Sequence, residues 1–106
     1  FNAVSYSETF EKVRSLKTLE EDEIVSDGYC VNTLTAALWV LSHSTDLSEA
    51  ILRAINLGGD TDTTGVVTGA LAGIAYADQQ LPEDWLSTLQ RKDDILALAE
   101  RFSEVI

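Results

Sequence analysis

Apolar residues recur at helical spacing along most of this 106-residue chain. Val31, Leu34, Leu38 and Leu41 follow one another at intervals of three and four residues, which predicts a helix over 31–41. Much of the remaining surface of that segment is also apolar, at Ala36, Ala37, Trp39 and Val40. Because a helix that is apolar around most of its circumference is enclosed by other elements, we expect it to be central.

Residues with helix-start chemistry precede four further segments of apolar periodicity. They are Ser7 for the first helix, Asp46 with Glu49 in capping-box spacing for the third, Pro82 for a short fifth, and Asp93 or Asp94 for the last. The inward residues are Phe10, Val13 and Leu16 of the first helix, Leu47, Ala50, Ile51, Ala54 and Ile55 of the third, and Ile95, Leu98, Ala99, Phe102 and Ile106 of the last. The charged, irregular stretch 17–27 is predicted to be a surface loop.

A fourth helix is predicted over 63–77, and it carries Gly65, Gly69 and Gly73 at successive i+4 positions. Each glycine costs about 1 kcal/mol relative to alanine inside a helix. We therefore expect the glycine stripe to permit close approach by a neighbouring helix. The residues expected to form core around it are Val66, Val67, Ala70, Leu71 and Ile74.

No stretch alternates with period two for long enough to predict a strand, so the fold class is all-α. We expect an orthogonal helical bundle of about six helices. Several of these helices are apolar on more than one side, and six short helices cannot bury all of that surface among themselves. The chain also lacks Met and begins at Phe1, so we expect it to be a fragment of a larger all-α domain.

The charge balance argues against two classes of partner. With 18 acidic and 7 basic residues the formal net charge is -11, which disfavours binding to nucleic acid or to an anionic membrane surface. No apolar run approaches the roughly 20 residues that a membrane span needs, and no signal peptide is visible, so a cytoplasmic location is expected. The single cysteine, Cys30, is predicted to be a buried thiol, and the single histidine, His43, a loop residue.

The chemistry is concentrated at 56–65, where two carboxylates, three hydroxyls and two adjacent glycines lie between apolar runs. Asp60 and Asp62 can converge only if the backbone turns, and Gly58-Gly59 permits the positive φ that such turns need. One interpretation is a turn with Asp62 or Thr63 as the N-cap of the fourth helix. The other is a cation site, because two close carboxylates repel unless a cation or a proton relieves them. Hard oxygen ligands suit Mg²⁺, Mn²⁺ or Ca²⁺.

The motifs resemble the C-terminal part of the ADP-ribosylglycohydrolase family, which includes the dinitrogenase-reductase-activating glycohydrolases and other ADP-ribosyl-acceptor hydrolases. The resemblance covers residues from about Asp27 to the C-terminus, whereas 1–26 match no motif. It rests on Gly28-Tyr29-Cys30-Val31-Asn32-Thr33-Leu34 with Ala36-Ala37-Leu38-Trp39, on Asn56 to Thr64, on Gly69-Ala70-Leu71-Ala72-Gly73, and on Leu81-Pro82 with Trp85. The Gly-Gly-Asp-Thr-Asp-Thr string is the most diagnostic part.

The resemblance implies an all-α bundle around two Mg²⁺ ions, or Mn²⁺ in some members, that hydrolyses ADP-ribose from a modified protein side chain. It implies that Asp60, Asp62 and Thr63 are metal ligands, with Asp62 bridging, and that the two aspartates are catalytic. Tyr29, with Gly28 and Gly59, is implied in substrate binding, where the Tyr29 ring would offer an aromatic surface to ADP-ribose. Tyr29 can equally be a partly buried residue at a helix start.

Two parts of the family pattern are absent, namely an N-terminal threonine-aspartate-aspartate-threonine motif and a glycine-rich phosphate-contacting segment. The isolated chain is therefore expected to bind metal weakly and to be inactive without the remainder of its parent or a complementary chain. Three hypotheses follow: part of a hydrolase, a non-catalytic ADP-ribose-binding or structural member of the same fold, and a helical interaction module in which Asp62 only caps a helix. The acceptor linkage is left open.

Overall fold

The structure, a computed structural model, describes residues 9–106, which form helices connected by turns and loops. Its six α-helices are α1 (Glu11–Arg14), α2 (Cys30–Ser42), α3 (Leu47–Asn56), α4 (Thr61–Ala75), α5 (Glu83–Thr88) and α6 (Lys92–Ser103). A 3₁₀ turn at Glu21–Glu23 lies between α1 and α2. Residues 9–106 contain no strand, so the all-α prediction is confirmed. Ser7, the predicted cap of the first helix, lies outside the described residues.

Helices α2, α3 and α4 pack against one another and enclose the core. Its buried apolar residues are Ala36, Ala37, Trp39 and Val40 of α2, Leu47, Ala50 and Ala54 of α3, and Ala72 of α4. Alanines predominate in this set, and because the distance between packed helices depends on the side chains at their contact, such small residues let helix axes approach closely. Helix α2 contributes half of these residues, more than either other helix, as its apolar circumference predicts.

The buried face of α4 differs from the predicted one. The buried residues are Thr64, Thr68 and Ala72, whereas Val66 is 72% exposed and Ile74 is 78% exposed. Threonine is β-branched like valine, so its methyl group can pack in a core. The Thr64 hydroxyl is paired with that of Ser26, whereas Thr68 Oγ1 has no partner among the described residues. Of the other residues predicted to form core, Val67 and Leu71 are half-buried and Ala70 is exposed, so apolar periodicity located the buried face of this helix only in part.

The glycine stripe of α4 makes a close contact at only one of its three positions. A β-carbon added at Gly65 would lie 3.2 Å from Ile55 Cγ2, whereas one added at Gly69 or Gly73 would meet no atom of the other described helices within 4 Å. The expected approach of a neighbouring helix is thus found at Gly65 and not at the other two positions within 9–106.

The predicted helix starts are right for α3 and wrong for α4 and α6. Asp46 Oδ1 accepts a hydrogen bond from the Glu49 N–H at 2.7 Å, so Asp46 is the N-cap of α3. Helix α4 begins at Thr61 after Asp60, not after Asp62 or Thr63. Helix α6 begins at Lys92 after Arg91, whose φ of 55° lies in the left-handed region, so Asp93 and Asp94 occupy the first turn. Sequence patterns locate such boundaries only to within a few residues.

The segment before α2 packs on the core more closely than a surface loop. Leu16, Leu19 and Ile24 pack against the core cluster, and Trp39 Nε1 donates a hydrogen bond to the Leu19 carbonyl oxygen at 2.8 Å. Cys30 is exposed, contrary to the prediction, because it occupies the first turn of α2. None of the described helices is long and apolar enough to cross a membrane.

Candidate metal and substrate site

The loop between α3 and α4 is shaped by two glycines with left-handed backbone conformations. Gly58 has a φ of 80° and Gly59 a φ of 64°, which ends α3 and reverses the chain toward Asp60, as predicted. At Gly59 space is also limiting, because a β-carbon there would lie 1.9 Å from the Ser26 carbonyl oxygen. The structure therefore gives Gly59 a packing role against the segment before α2.

Ser26 contacts this loop through both its backbone and its side chain. Its carbonyl oxygen accepts a hydrogen bond from the Asp60 N–H at 2.9 Å, and its hydroxyl shares a hydrogen bond with Thr64 Oγ1 at 2.8 Å. Sequence reasoning missed Ser26 entirely. Nothing in the charged stretch around it could have identified the contact, since its partners lie more than thirty residues away along the chain.

The two aspartates of the Asp-x-Asp motif occupy the N-cap and the first turn of α4. Asp60 occupies the N-cap position, but its side chain accepts no capping hydrogen bond. Its Oδ2 is directed toward Gly28, where a β-carbon would lie 3.5 Å away. A hydrogen bond with the Asp60 carboxyl, and then the backbone N–H groups of Thr63 and of Asp62 itself, lower the pKa of the Asp62 carboxyl. Interaction with backbone N–H groups at the helix start thus explains part of the lowered pKa of Asp62, whereas the Asp60 side chain makes no such capping interaction.

The donor atoms at this position suit a hard cation but form only part of a complete ligand set. The candidate ligands are the carboxylate oxygens of Asp60 and Asp62 and the hydroxyl of Thr63, an exposed residue in the first turn of α4. Mg²⁺ requires about six oxygens in near-octahedral geometry, so these side chains leave several positions to other ligands. Within residues 9–106 no group of three or more His, Cys, Asp or Glu residues is placed to hold a metal ion.

Tyr29 is the N-cap residue of α2 and is 55% exposed. Its backbone N–H donates to Asp27 Oδ1 at 2.9 Å, and the same carboxylate accepts from Asn32 Nδ2 at 3.0 Å. The ring borders a shallow depression of about 290 Å³ between α1 and the first turns of α2, next to Glu11 and Lys12. An exposed tyrosine ring at a concave surface is available to a ligand, so the predicted role in substrate binding stays open.

Of the predicted site residues, Gly28, Gly59 and Asp60 are brought close together through their contacts with one another and with Ser26. The depression that Tyr29 lines includes none of Asp60, Asp62 and Thr63. Gly28 and Tyr29 precede α2, and Gly59 and Asp60 precede α4. The Ser26 contacts and the approach of Asp60 Oδ2 to Gly28 place the N-terminal ends of these two helices side by side. The arrangement defines an all-α protein with an acidic, oxygen-rich site at paired helix N-termini.

The family model described as ADP-ribosylglycohydrolase matches residues 2–106, so the chain belongs to the ADP-ribosylglycohydrolase family. This finding confirms the resemblance drawn from the motifs. The matched range also includes residues 2–26, in which no motif was found.

Several characterised relatives are similar to the chain over much of its length. ADP-ribosylarginine hydrolase Tri1 of Serratia proteamaculans (strain 568) is 40% identical over 85 residues, covering 80% of this chain and 23% of the relative. ADP-ribosyl-(dinitrogen reductase) glycohydrolase of Rhodospirillum rubrum is 35% identical over 83 residues, covering 70% of the chain and 28% of the relative. Human ADP-ribosylhydrolase ARH3 is 36% identical over 59 residues, covering 56% of the chain and 16% of the relative. The chain thus spans about a quarter of the length of the first two, and the matches lie in the C-terminal part of the relatives.

Proposed function

We propose that this chain is the C-terminal portion of an Mg²⁺-dependent ADP-ribosyl-acceptor hydrolase, which releases ADP-ribose from a modified protein side chain. The observation that carries the proposal is the placement of Asp60, Asp62 and Thr63 at the N-cap and in the first turn of α4, in a member of this family. The names of the relatives support it, since they are hydrolases of ADP-ribosylarginine and of ADP-ribosyl-dinitrogen reductase.

In this proposal Asp60, Asp62 and Thr63 hold part of a site for two Mg²⁺ ions, or Mn²⁺. When bound, such ions act as Lewis acids that orient oxygen ligands and stabilise negative charge. The residues of this chain set the geometry, because the Gly58-Gly59 turn and the first turn of α4 place both aspartates at the start of one helix. The exposed ring of Tyr29 offers an aromatic face on which a base or a sugar of ADP-ribose can stack.

The remaining metal ligands are assigned to the rest of the parent polypeptide or to a complementary chain, so the isolated chain is expected to bind metal weakly and to be inactive. Two observations support this division. The matched relatives are about four times as long as the stretch they share with this chain. Moreover, the apolar side of α6 is open to solvent within the described residues, with Phe102 61% exposed, which is expected of a helix that packs on further elements.

A non-catalytic, ADP-ribose-binding or structural member of the same fold is the second candidate. It is favoured by the lack of a third carboxylate or imidazole at the Asp60–Asp62 pair within residues 9–106. Binding of ADP-ribose by the complete protein without hydrolysis would support this candidate over the first.

The proposal is tested in the complete protein with Asp60→Ala and Asp62→Ala, by measuring Mg²⁺-dependent release of ADP-ribose from an ADP-ribosylated protein. Each variant should lose more than the roughly 10- to 100-fold that outer-shell changes cost at metal sites. Asp46→Ala is the matched control, because it removes an aspartate from the start of α3 and should lower stability only. Full activity in both site variants would show that the ligand assignment is wrong.

Thermal unfolding of the complete protein separates a metal site from a simple helix cap. A ligand that binds only the native state stabilises it by about 2.7 kcal/mol at 100 times its Kd. Mg²⁺ should therefore raise the Tm of the wild type and not that of Asp62→Ala. An unchanged Tm in the wild type would favour a helical interaction module in which Asp62 only caps α4.

A further inference from the structure

Three hydrogen bonds join Ser26, Asp60 and Thr64 in a closed ring. The Asp60 N–H donates to the Ser26 carbonyl oxygen at 2.9 Å, and the Thr64 N–H donates to the Asp60 carbonyl oxygen at 3.1 Å. The ring closes between the hydroxyls of Thr64 and Ser26 at 2.8 Å. Both backbone polar groups of Asp60 are therefore held, one by the segment before α2 and the other by α4.

This ring holds the backbone at a position where local sequence restricts the φ and ψ angles only weakly. Asp60 directly follows Gly58 and Gly59, and glycine has more backbone freedom than any other residue. The local sequence alone would thus leave the direction of the Asp60 side chain poorly defined. Contact with Ser26 supplies the missing constraint, and the closeness of Gly59 to the Ser26 carbonyl oxygen leaves little room for the loop to shift.

The side-chain link of the ring is partly shielded from water. Thr64 is fully buried and Ser26 is half-buried. A hydroxyl pair in such a place contributes about 0.5–1.5 kcal/mol net, and leaving one partner buried and unpaired costs about 1–3 kcal/mol. Removing either hydroxyl should therefore loosen the Ser26 segment from α4.

We propose that Ser26 is a positioning residue for the Asp60 carboxylate, acting through the ring with Thr64. This inference rests on the proposed metal site, because it concerns how one of the proposed ligands is held. Outer-shell groups that orient metal ligands typically change metal affinity by about 10- to 100-fold when they are removed. Ser26 does not touch the metal or the substrate in this proposal.

The test measures Mn²⁺ binding to the complete protein by the electron paramagnetic resonance signal of free Mn²⁺. Ser26→Ala and Thr64→Val should each raise the Kd about tenfold, and the double variant should be no weaker than the singles, because both remove the same bond. Thr64→Ser keeps the hydroxyl and loses the methyl group, so it should lower the Tm and keep a Kd near that of the wild type.

Ser44→Ala is the matched control at the other end of α2. Ser44 is also half-buried, its hydroxyl donates to the Val40 carbonyl oxygen at 2.7 Å, and its own carbonyl oxygen accepts from Tyr76 Oη at 2.9 Å. Its loss should lower the Tm to a similar extent and leave the Kd for Mn²⁺ unchanged. An unchanged Kd in Ser26→Ala, or an equal rise in Ser44→Ala, would overturn the positioning role.

A second measurement, amide hydrogen exchange at Asp60, does not depend on the metal. Exchange at Asp60 should be several-fold faster in Ser26→Ala than in the wild type or Ser44→Ala, and equal rates would overturn the inference. The variant Asp62→Asn separates failure of the positioning role of Ser26 from failure of the proposed metal site. If the wild type and Asp62→Asn bind Mn²⁺ equally, the metal site is wrong, and the exchange rates alone decide whether Ser26 holds Asp60.

Discussion

Replacement of the two adjacent glycines by alanine should have very different effects. At Gly58, with a φ of 80° and no atom of the described residues within 4 Å of an added β-carbon, the change introduces only backbone strain. A left-handed conformation costs a non-glycine residue roughly 1–2 kcal/mol. Gly59→Ala carries the same strain and also places its β-carbon 1.9 Å from the Ser26 carbonyl oxygen, where real contacts stay beyond 3.0 Å.

The clash at Gly59 can be relieved only if the two backbone segments separate by about 1 Å. This movement breaks the bond between the Asp60 N–H and the Ser26 carbonyl oxygen, which costs about 1–3 kcal/mol when the groups stay buried. We therefore expect Gly59→Ala to lose roughly 2–5 kcal/mol of the free energy of unfolding, against roughly 1–2 kcal/mol for Gly58→Ala. The larger loss is a substantial fraction of the 5–15 kcal/mol typical of a folded domain.

The assay is urea unfolding of the complete protein, followed by far-ultraviolet circular dichroism. Asparagine variants separate strain from clash, because asparagine tolerates left-handed backbone yet still carries a β-carbon. Gly58→Asn should be close to the wild type, and Gly59→Asn should remain strongly destabilised. Equal destabilisation at the two positions, in either the alanine or the asparagine pair, would refute the close approach of Ser26.

Two further predictions concern a buried hydroxyl and an acidic group. Thr68 is fully buried and its Oγ1 has no hydrogen-bond partner among the described residues, so Thr68→Val should stabilise the protein by about 1 kcal/mol in urea unfolding. Thr64→Val, which removes a bonded hydroxyl, should destabilise it, and the same sign for both changes would contradict the assignment. Hydrogen bonds from the Thr45 N–H and hydroxyl, with the charge of Arg53, lower the pKa of Glu49 from its ordinary value of 4.5. The stability this gives is present above that value and is lost as pH falls through the lowered pKa, so the Tm of Glu49→Gln should fall less on acidification than that of the wild type.

The sequence by itself determined the helical class, the central place of α2, the cap at Asp46 and the turn at Gly58-Gly59. Each of these depends on interactions between residues at most about four positions apart. Apolar periodicity, a carboxylate three residues before an N–H, and glycine at a positive φ all act over that range. The convergence of the Asp-x-Asp pair on a cation stays a prediction, and the structure places both residues at the start of α4.

Tertiary structure decided which face of α4 is buried and what holds Asp60. Thr64 enters the core because Ser26, 38 residues earlier in the chain, satisfies its hydroxyl. The segment before α2 is held on the core because Trp39 donates to the Leu19 carbonyl oxygen across 20 residues. Local patterns cannot predict such contacts. A polar side chain is expected to be exposed from its sequence alone, yet it can be buried when a residue distant in the chain supplies its hydrogen bond.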